Sequence, residues 1–245
     1  MFSFFSNRKI TSDLSFIGVD MHSHLLPALD DGLQKLNDTI AFVKEMQALG
    51  YQKLICTPHI LPGVHPNTPE TILPALELVR TALKEAQIPV AIEAAAEYMI
   101  DHEFAELVKN KSRLLTFGDN YILVEMSYVE PSSYLQQVFF DLKLEGLHPI
   151  LAHPERYNYY HQNFQQYVEL KDRGFLFQLN LLSLSGYYGK PIKNIAKKLL
   201  KNRMIDFVGT DMHHQNHLHT LQQFSKDTEF YKLLKDVPLL NKSLL

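Results

Sequence analysis

The sequence predicts an α/β fold: a closed or nearly closed β/α barrel, with a doubly wound open sheet as the competing arrangement. Three observations carry this. Seven short β-rich runs recur along the chain, helical patterns separate them, and run after run ends in histidine or carboxylate. Several of the runs are apolar almost throughout, as parallel strands covered on both faces are.

In chain order, the first run is FIGVDMH at 16–22. A helix is expected over 33–49, where Leu33, Leu36, Ile40, Val43, Met46 and Leu49 share a face and Gly50 supplies the stop. The second run, KLICTPH at 53–59, precedes Thr68-Pro69, which reads as an N-cap with proline at the first helical position. Pro74 sits deeper than a first-turn proline should, so Leu73 is an alternative start for that helix. Runs at 90–98, 121–127, 148–153, 175–182 and 206–213 then alternate with helical patterns at 101–112, 131–146, 161–173, 190–202 and 217–234.

With 245 residues and no Gly/Ser linker, low-complexity tract or short-period repeat, the chain reads as one domain over 16–245, preceded by an N-terminal arm at 1–15. The arm opens MFSFFSNRKI, apolar then basic, the reverse of a signal peptide's order. No apolar stretch approaches the ~20 residues needed to span a bilayer. A net charge of −3 argues against a dedicated nucleic-acid binder. The single cysteine, Cys56, excludes an intrachain disulfide, suits a reducing cytoplasm and, inside KLICTPH, reads as a buried structural thiol.

The run ends carry the chemistry. In a parallel β/α fold the C-terminal ends of the strands gather at one mouth, so residues far apart in sequence converge there. His22 and His24 alternate on extended chain and point to one side, as a shared metal requires. The Asp30-Asp31-Gly32 turn follows, with Asp31 able to bind metal and to cap the helix over 33–49. Asp20 is placed to orient an imidazole. His59 ends its run after Thr57-Pro58, and Glu97 follows the small residues Ala94, Ala95 and Ala96. Glu125, inside YILVEMS, would be costly to bury without a partner. Glu93, four residues before Glu97, reads as structural.

His153-Pro154-Glu155-Arg156 places a histidine at a run end and an arginine three positions on, fit to clamp a phosphate, with a structural pairing to Glu155 as its alternative. Asp211 and His213 repeat the alternation of His22 and His24, whereas His214, His217 and His219 read as loop histidines. Nine candidate ligands (His22, His24, Asp31, His59, Glu97, Glu125, His153, Asp211 and His213) exceed what one ion can use. Two to three divalent ions held by nitrogen and oxygen are expected: Mn, Fe or Zn. Ions so placed activate water and clamp a transferring phosphoryl group.

Asp20-Met-His-Ser-His, the Asp30-Asp31-Gly turn, Thr57-Pro-His, His153-Pro-Glu-Arg and Thr210-Asp-Met-His together resemble the polymerase-and-histidinol-phosphatase (PHP) superfamily. Within it the chain is similar to the bacterial manganese-dependent protein-tyrosine phosphatases of capsule and exopolysaccharide loci, the CpsB/CapC/YwqE type. The similarity spans about residues 16–220. The resemblance implies a distorted seven-stranded barrel of the PHP type with a trinuclear centre, built from the nine ligands above, and gives Arg156 the support of the phosphate. Arg156, Asp31 and His59 are the expected catalytic residues. The implied reaction is attack of metal-activated hydroxide on the phosphorus of phosphotyrosine, on a protein such as a bacterial tyrosine kinase controlling polysaccharide export.

Two departures stand out. Ile60-Leu61-Pro62-Gly63 follow TPH where relatives carry polar or basic residues, and the loop after Asp211-x-His213 has histidines but no arginine. The competing functions are a histidinol-phosphate-type phosphatase, a DNA exonuclease and a non-catalytic metal-loaded kinase regulator. The expected chain is cytoplasmic, free of nucleic acid and of stable membrane insertion, and open to oligomerisation.

Overall fold

A computed structural model describes residues 13–245, so most of the expected arm at 1–15 lies outside the described residues. Leu14, at its end, is buried and donates its backbone N–H to the Leu49 carbonyl. Strands are β1 (Val19–Asp20), β2 (Lys53–Cys56), β3 (His59–Ile60), β4 (Ala91–Ala94), β5 (Glu97–Met99), β6 (Tyr121–Glu125), β7 (His148–Ala152), β8 (Leu176–Asn180) and β9 (Phe207–Gly209). The α-helices are α1 (Leu36–Ala48), α2 (Pro69–Glu85), α3 (His102–Lys109), α4 (Leu135–Leu144), α5 (Gln165–Asp172), α6 (Leu181–Ser185), α7 (Lys190–Lys201), α8 (Gln215–Phe224) and α9 (Thr228–Leu234).

The strand pairings are all parallel, in the orders β1-β2-β4 and β3-β5-β6-β7-β8-β9. The two sheets are successive parts of one course. The expected strand 53–59 breaks into β2 and β3 at Thr57-Pro58, because proline has no N–H for the ladder. The run 90–98 likewise breaks into β4 and β5. Across the breaks, Ala95 N donates to Cys56 O at 2.9 Å and Glu97 N to Pro58 O at 3.1 Å, keeping the chains aligned.

The last strand returns to the first without forming a ladder. Ser23 and Met212 make a single parallel bridge, and Asp211 N donates to His22 O at 2.8 Å. The rest of this seam is stitched by side chains. Thr210 donates its N–H and hydroxyl to Asp20 at 2.9 and 2.6 Å. Asn241, in the C-terminal 3-10 turn, donates to Val19 O and Val208 O and accepts from Val208 N. The sheets therefore remain two open parallel sheets whose ends meet at one bridge and side-chain contacts, rather than a fully laddered barrel. The seam also corrects the role of Asp20, whose carboxylate binds Thr210 across it rather than orienting an imidazole.

On one face of the sheets, Val19, Met21, Ile55, Ala95, Leu123, Ile150, Ala152 and Phe207 form an apolar cluster together with Phe117 and Leu244. Side chains two positions apart on a strand share a face. Leu123 is therefore followed on that face by Glu125, Ala95 by Glu97, and Leu176 by Gln178 and Asn180. The larger cluster packs the helices on the outside, with Phe42, Val43 and Met46 of α1 and Ile72, Leu76, Val79 and Leu83 of α2 among its members.

Element boundaries differ from expectation at three points, while α2 keeps the expected Thr68-Pro69 start rather than the alternative at Leu73. α1 begins at Leu36 with Lys35 as N-cap, so Asp31 does not cap it. α2 begins at Pro69 with a Thr68–Thr71 capping box, and Pro74 is accommodated inside it. The run 175–182 ends at Asn180, whose side chain accepts from Leu182 N and starts α6. The span 217–234 is two helices, with Asp227 capping the second through Glu229 N. Among the described residues, no helix is long and apolar enough to cross a membrane.

Candidate metal centre

Eight of the nine candidate ligands, all but Asp31, come from strands β3, β5 and β6 or from the chain just beyond β1, β7 and β9. Their placement follows from local backbone chemistry. His153 and Asp211 both hold positive φ, 34° and 50°. Side chains at such positions cost about 1–3 kcal/mol and persist where the surroundings over-determine them. Gly209 has a different reason to be small. A Cβ there would lie 2.7 Å from His22 Cβ and 2.9 Å from Gln178 Nε2.

The imidazoles are aimed by their outer nitrogens. His22 Nδ1 lies 2.8 Å from Gln178 Oε1, and His24 Nδ1 lies 2.7 Å from Asp30 Oδ2. Each acceptor fixes the proton on Nδ1 and turns the Nε2 lone pair inward. The two Nε2 atoms then stand 3.3 Å apart. His22 Nε2 is 3.0 Å from Glu97 Oε2 and 3.4 Å from Asp211 Oδ1, and His24 Nε2 is 3.4 Å from each of the same oxygens. Lone pairs and carboxylates packed this closely in a buried site repel one another unless protons or a metal cation lie among them. The donor set therefore fits a divalent metal.

His22, His24, Glu97 and Asp211 form one donor group; His24, Asp31, His59 and His213 form a second; His59, Glu97 and Glu125 form a third. His24, His59 and Glu97 each belong to two groups, and of these only the Glu97 carboxylate, with two oxygens, can serve both at once. A neutral imidazole offers one lone pair, so His59 can serve the second or the third group, but not both. His59 Nδ1 lies 3.0 Å from Glu125 Oε1 yet makes no hydrogen bond. His153 Nε2, 3.1 Å from Glu97 Oε1 and 4.0 Å from Glu125 Oε2, offers a further nitrogen on the third side. His213 Nδ1 faces the Asp211 carbonyl at 2.9 Å, which leaves Nε2 toward Asp31 Oδ1 at 3.4 Å.

The electrostatics agree. Burial disfavours charge on His22, but the Glu97 and Asp211 carboxylates outweigh it and raise its pKa. Burial also opposes charge on His24, and Asp30, Asp211 and Glu97 raise its pKa well above the imidazole range. Glu97 and Asp211 are buried, which favours their neutral forms, yet the surrounding histidines hold both well below the carboxylate range. His153 is lowered, by burial first and then by Arg156. Asp31, the one largely exposed member, is held at about 2, chiefly by its hydrogen bond with His213.

Arg156 forms its ion pair with Asp211, not with Glu155: Nη1 donates to Asp211 Oδ2 at 2.6 Å. Asn180 Nδ2 donates to the same oxygen at 3.0 Å, leaving Oδ1 for the histidines and a metal. Glu155 is buried and accepts from Asn180 N and Ser183 Oγ, with burial pushing its pKa up to about 7. Arg156 lines a mouth of about 420 Å³ together with Asp31, His59, Glu125, His153 and His213.

Sequence reasoning missed Gln178 and Asn180. Both are buried polar residues in the apolar run FLFQLNLL, the same signal that picked out Glu125. It also read Asp30 only as part of the turn, whereas Asp30 orients His24 and accepts from the backbone N–H groups of Gly32 and His59. His217 and His219 lie on α8, not in a loop. Glu93 pairs with Lys53 at 2.8 Å, away from the mouth, and Cys56 is buried with its thiol pushed up to about 12 by burial. Substituting Gln178 by alanine frees the His22 ring and is expected to weaken metal binding about 10–100-fold, measured by competition with a chelating dye.

A fold of parallel β/α units with a histidine–carboxylate centre at its mouth defines a metallohydrolase class. Residues 18–224 match the family model for capsular polysaccharide synthesis, CpsB/CapC, and the chain belongs to that family. It is 33% identical over 196 residues to the tyrosine-protein phosphatase YwqE of Bacillus subtilis, covering 80% of this chain and 77% of that one. It is 26% identical over 200 residues to the tyrosine-protein phosphatase CpsB of Streptococcus pneumoniae, covering 80% and 82%. A crystal structure from work on YwqE and CpsB, described there as unique metal-dependent tyrosine phosphatases, superposes with a TM-score of 0.77 at 29% identity, over 93% of this chain and 95% of the other.

Proposed function

We propose that the chain is a metal-dependent protein-tyrosine phosphatase, carrying two to three ions, manganese in the first place. The observation that carries this reading is the inward convergence of His22 and His24 Nε2 on Glu97 and Asp211, beside an arginine that, among the described residues, keeps donors to spare. His22, His24, Asp31, His59, Glu97, Glu125, His153, Asp211 and His213 would hold the ions. When bound, the ions supply Lewis-acid stabilisation of phosphoryl oxygens and an activated water.

The chain's own groups do the positioning. Gln178 and Asp30 fix the tautomers of His22 and His24. Asn180 and Arg156 hold one oxygen of Asp211 so that the other faces inward. Among the described residues, Arg156 spends one N–H on Asp211 and keeps the rest of its planar edge for phosphate oxygens, whose charge grows in the transition state. The family's place in capsular polysaccharide synthesis supports a phosphotyrosyl protein as substrate, namely a bacterial tyrosine kinase governing polysaccharide export, in the cytoplasm.

Metal loading should release protons. Carboxylates raise the pKa of both His22 and His24, so without metal these rings keep protons to higher pH than a free imidazole. Metal must displace those protons, so apparent affinity falls as pH drops from about 8 toward 5. Calorimetry in two buffers of different ionisation enthalpy should give different heats at pH 7; identical heats would contradict the assignment. The substrate reading is tested by comparing phosphotyrosyl peptide with histidinol phosphate under manganese. A higher kcat/KM on the peptide is expected, and a clear preference for histidinol phosphate would overturn it.

A further inference from the structure

We infer that Tyr128 selects aryl over alkyl phosphate esters at this mouth, through aromatic contact with the leaving group. The inference rests on the phosphatase reading and adds a specificity residue to it. Tyr128 lies three residues beyond Glu125, where the chain leaves β6. The Arg156 guanidinium carbon sits 4.8 Å from its ring centroid and 4.3 Å from that of Tyr188, so both rings flank the arginine. The rings of His153 and Tyr157 approach Tyr128 at 5.8 and 6.0 Å. The ring is therefore held in place, yet it remains 45% exposed and lines the mouth.

Tyr188 also lines the mouth but is half-buried and more fully engaged. Its hydroxyl is engaged by Asn180 Nδ2 at 3.2 Å, and its ring packs on Tyr187, His217 and Arg156. Tyr128 makes no hydrogen bond through its hydroxyl among the described residues, so the ring itself is what it offers. Leu61 and Met99 complete an apolar lining of the same mouth. A phosphoryl group held by Arg156 sets the ester oxygen and its substituent beside Tyr128. An aryl substituent gains ring–ring and thioether contacts there and removes apolar surface from water. A seryl ester reaches none of them.

The test measures the affinities of manganese-loaded wild type, Tyr128→Ala and Tyr128→Phe for phenylphosphonate and methylphosphonate. It also measures kcat and KM on one peptide phosphorylated at tyrosine or at serine. The wild type should prefer the phenyl ligand, Tyr128→Ala should lower that preference about tenfold and raise KM for phosphotyrosine more than it lowers kcat, and Tyr128→Phe should keep the preference. An unchanged phenyl-to-methyl ratio in Tyr128→Ala, or a Phe variant that behaves like Ala, overturns the selector role alone. A wild type that hydrolyses neither peptide overturns the phosphatase reading and the selector with it.

Discussion

Replacing His22 by alanine is expected to lower kcat/KM on a phosphotyrosyl peptide by about a thousandfold. His22 is fully buried, fixed by Gln178 and directed at Glu97 and Asp211, so no neighbouring side chain can supply its nitrogen. Losing it removes a donor from the group that also contains His24, Glu97 and Asp211. An ion's electrostatic contribution to such a reaction amounts to several kcal/mol, and each 1.36 kcal/mol is about a factor of ten in rate. Two controls separate lost chemistry from lost fold. Far-ultraviolet circular dichroism should be unchanged, whereas the rise in Tm on adding manganese, present in the wild type by ligand linkage, should shrink. Retention of wild-type turnover would remove His22 from the centre.

Arg156→Lys is expected to lower kcat/KM by about a hundredfold or more, although the charge is conserved. Lysine can keep one ion pair with Asp211, replacing the 2.6 Å contact from Nη1. It lacks the planar edge that would bind two phosphate oxygens while one N–H stays on Asp211, and it stacks poorly between Tyr128 and Tyr188. Because Asp211 belongs to a proposed metal-binding group, manganese content should be measured on the same sample. The account expects near-normal metal content with reduced turnover. Normal kcat/KM in the lysine variant would show that charge alone suffices and that the fork geometry is idle.

Much of this was legible in the sequence because the signals are local. An apolar run ending in His59, Glu97, Glu125 or Asp211 states both a strand and what stands at its end, and parallel β/α order brings those ends together. The illegible parts depend on neighbours distant in sequence. Whether Asp30 or Asp31 orients His24 depends on how the turn folds beneath His59, whose backbone N–H also binds Asp30. Asp20 looked like a partner for a histidine two residues away, but Thr210, on the far side of the seam, offers two donors at once. Arg156 lies beside Glu155 in sequence and beside Asp211 in space, because the 3-10 turn at Pro154–Arg156 buries Glu155 on Asn180 and Ser183. Gln178 and Asn180 were visible as polar breaks in an apolar strand, yet their roles appear only once the strand lies beside His22 and Asp211.

The most direct test of the central claim is metal counting joined to turnover on one sample. Purified chain is stripped with a strong chelator, reloaded with manganese, analysed for bound metal and assayed on a phosphotyrosyl peptide. The account predicts no turnover when stripped, recovery on reloading, and about two to three ions per chain at full activity. Turnover that survives complete removal of metal, or full activity with one ion or none, would contradict it.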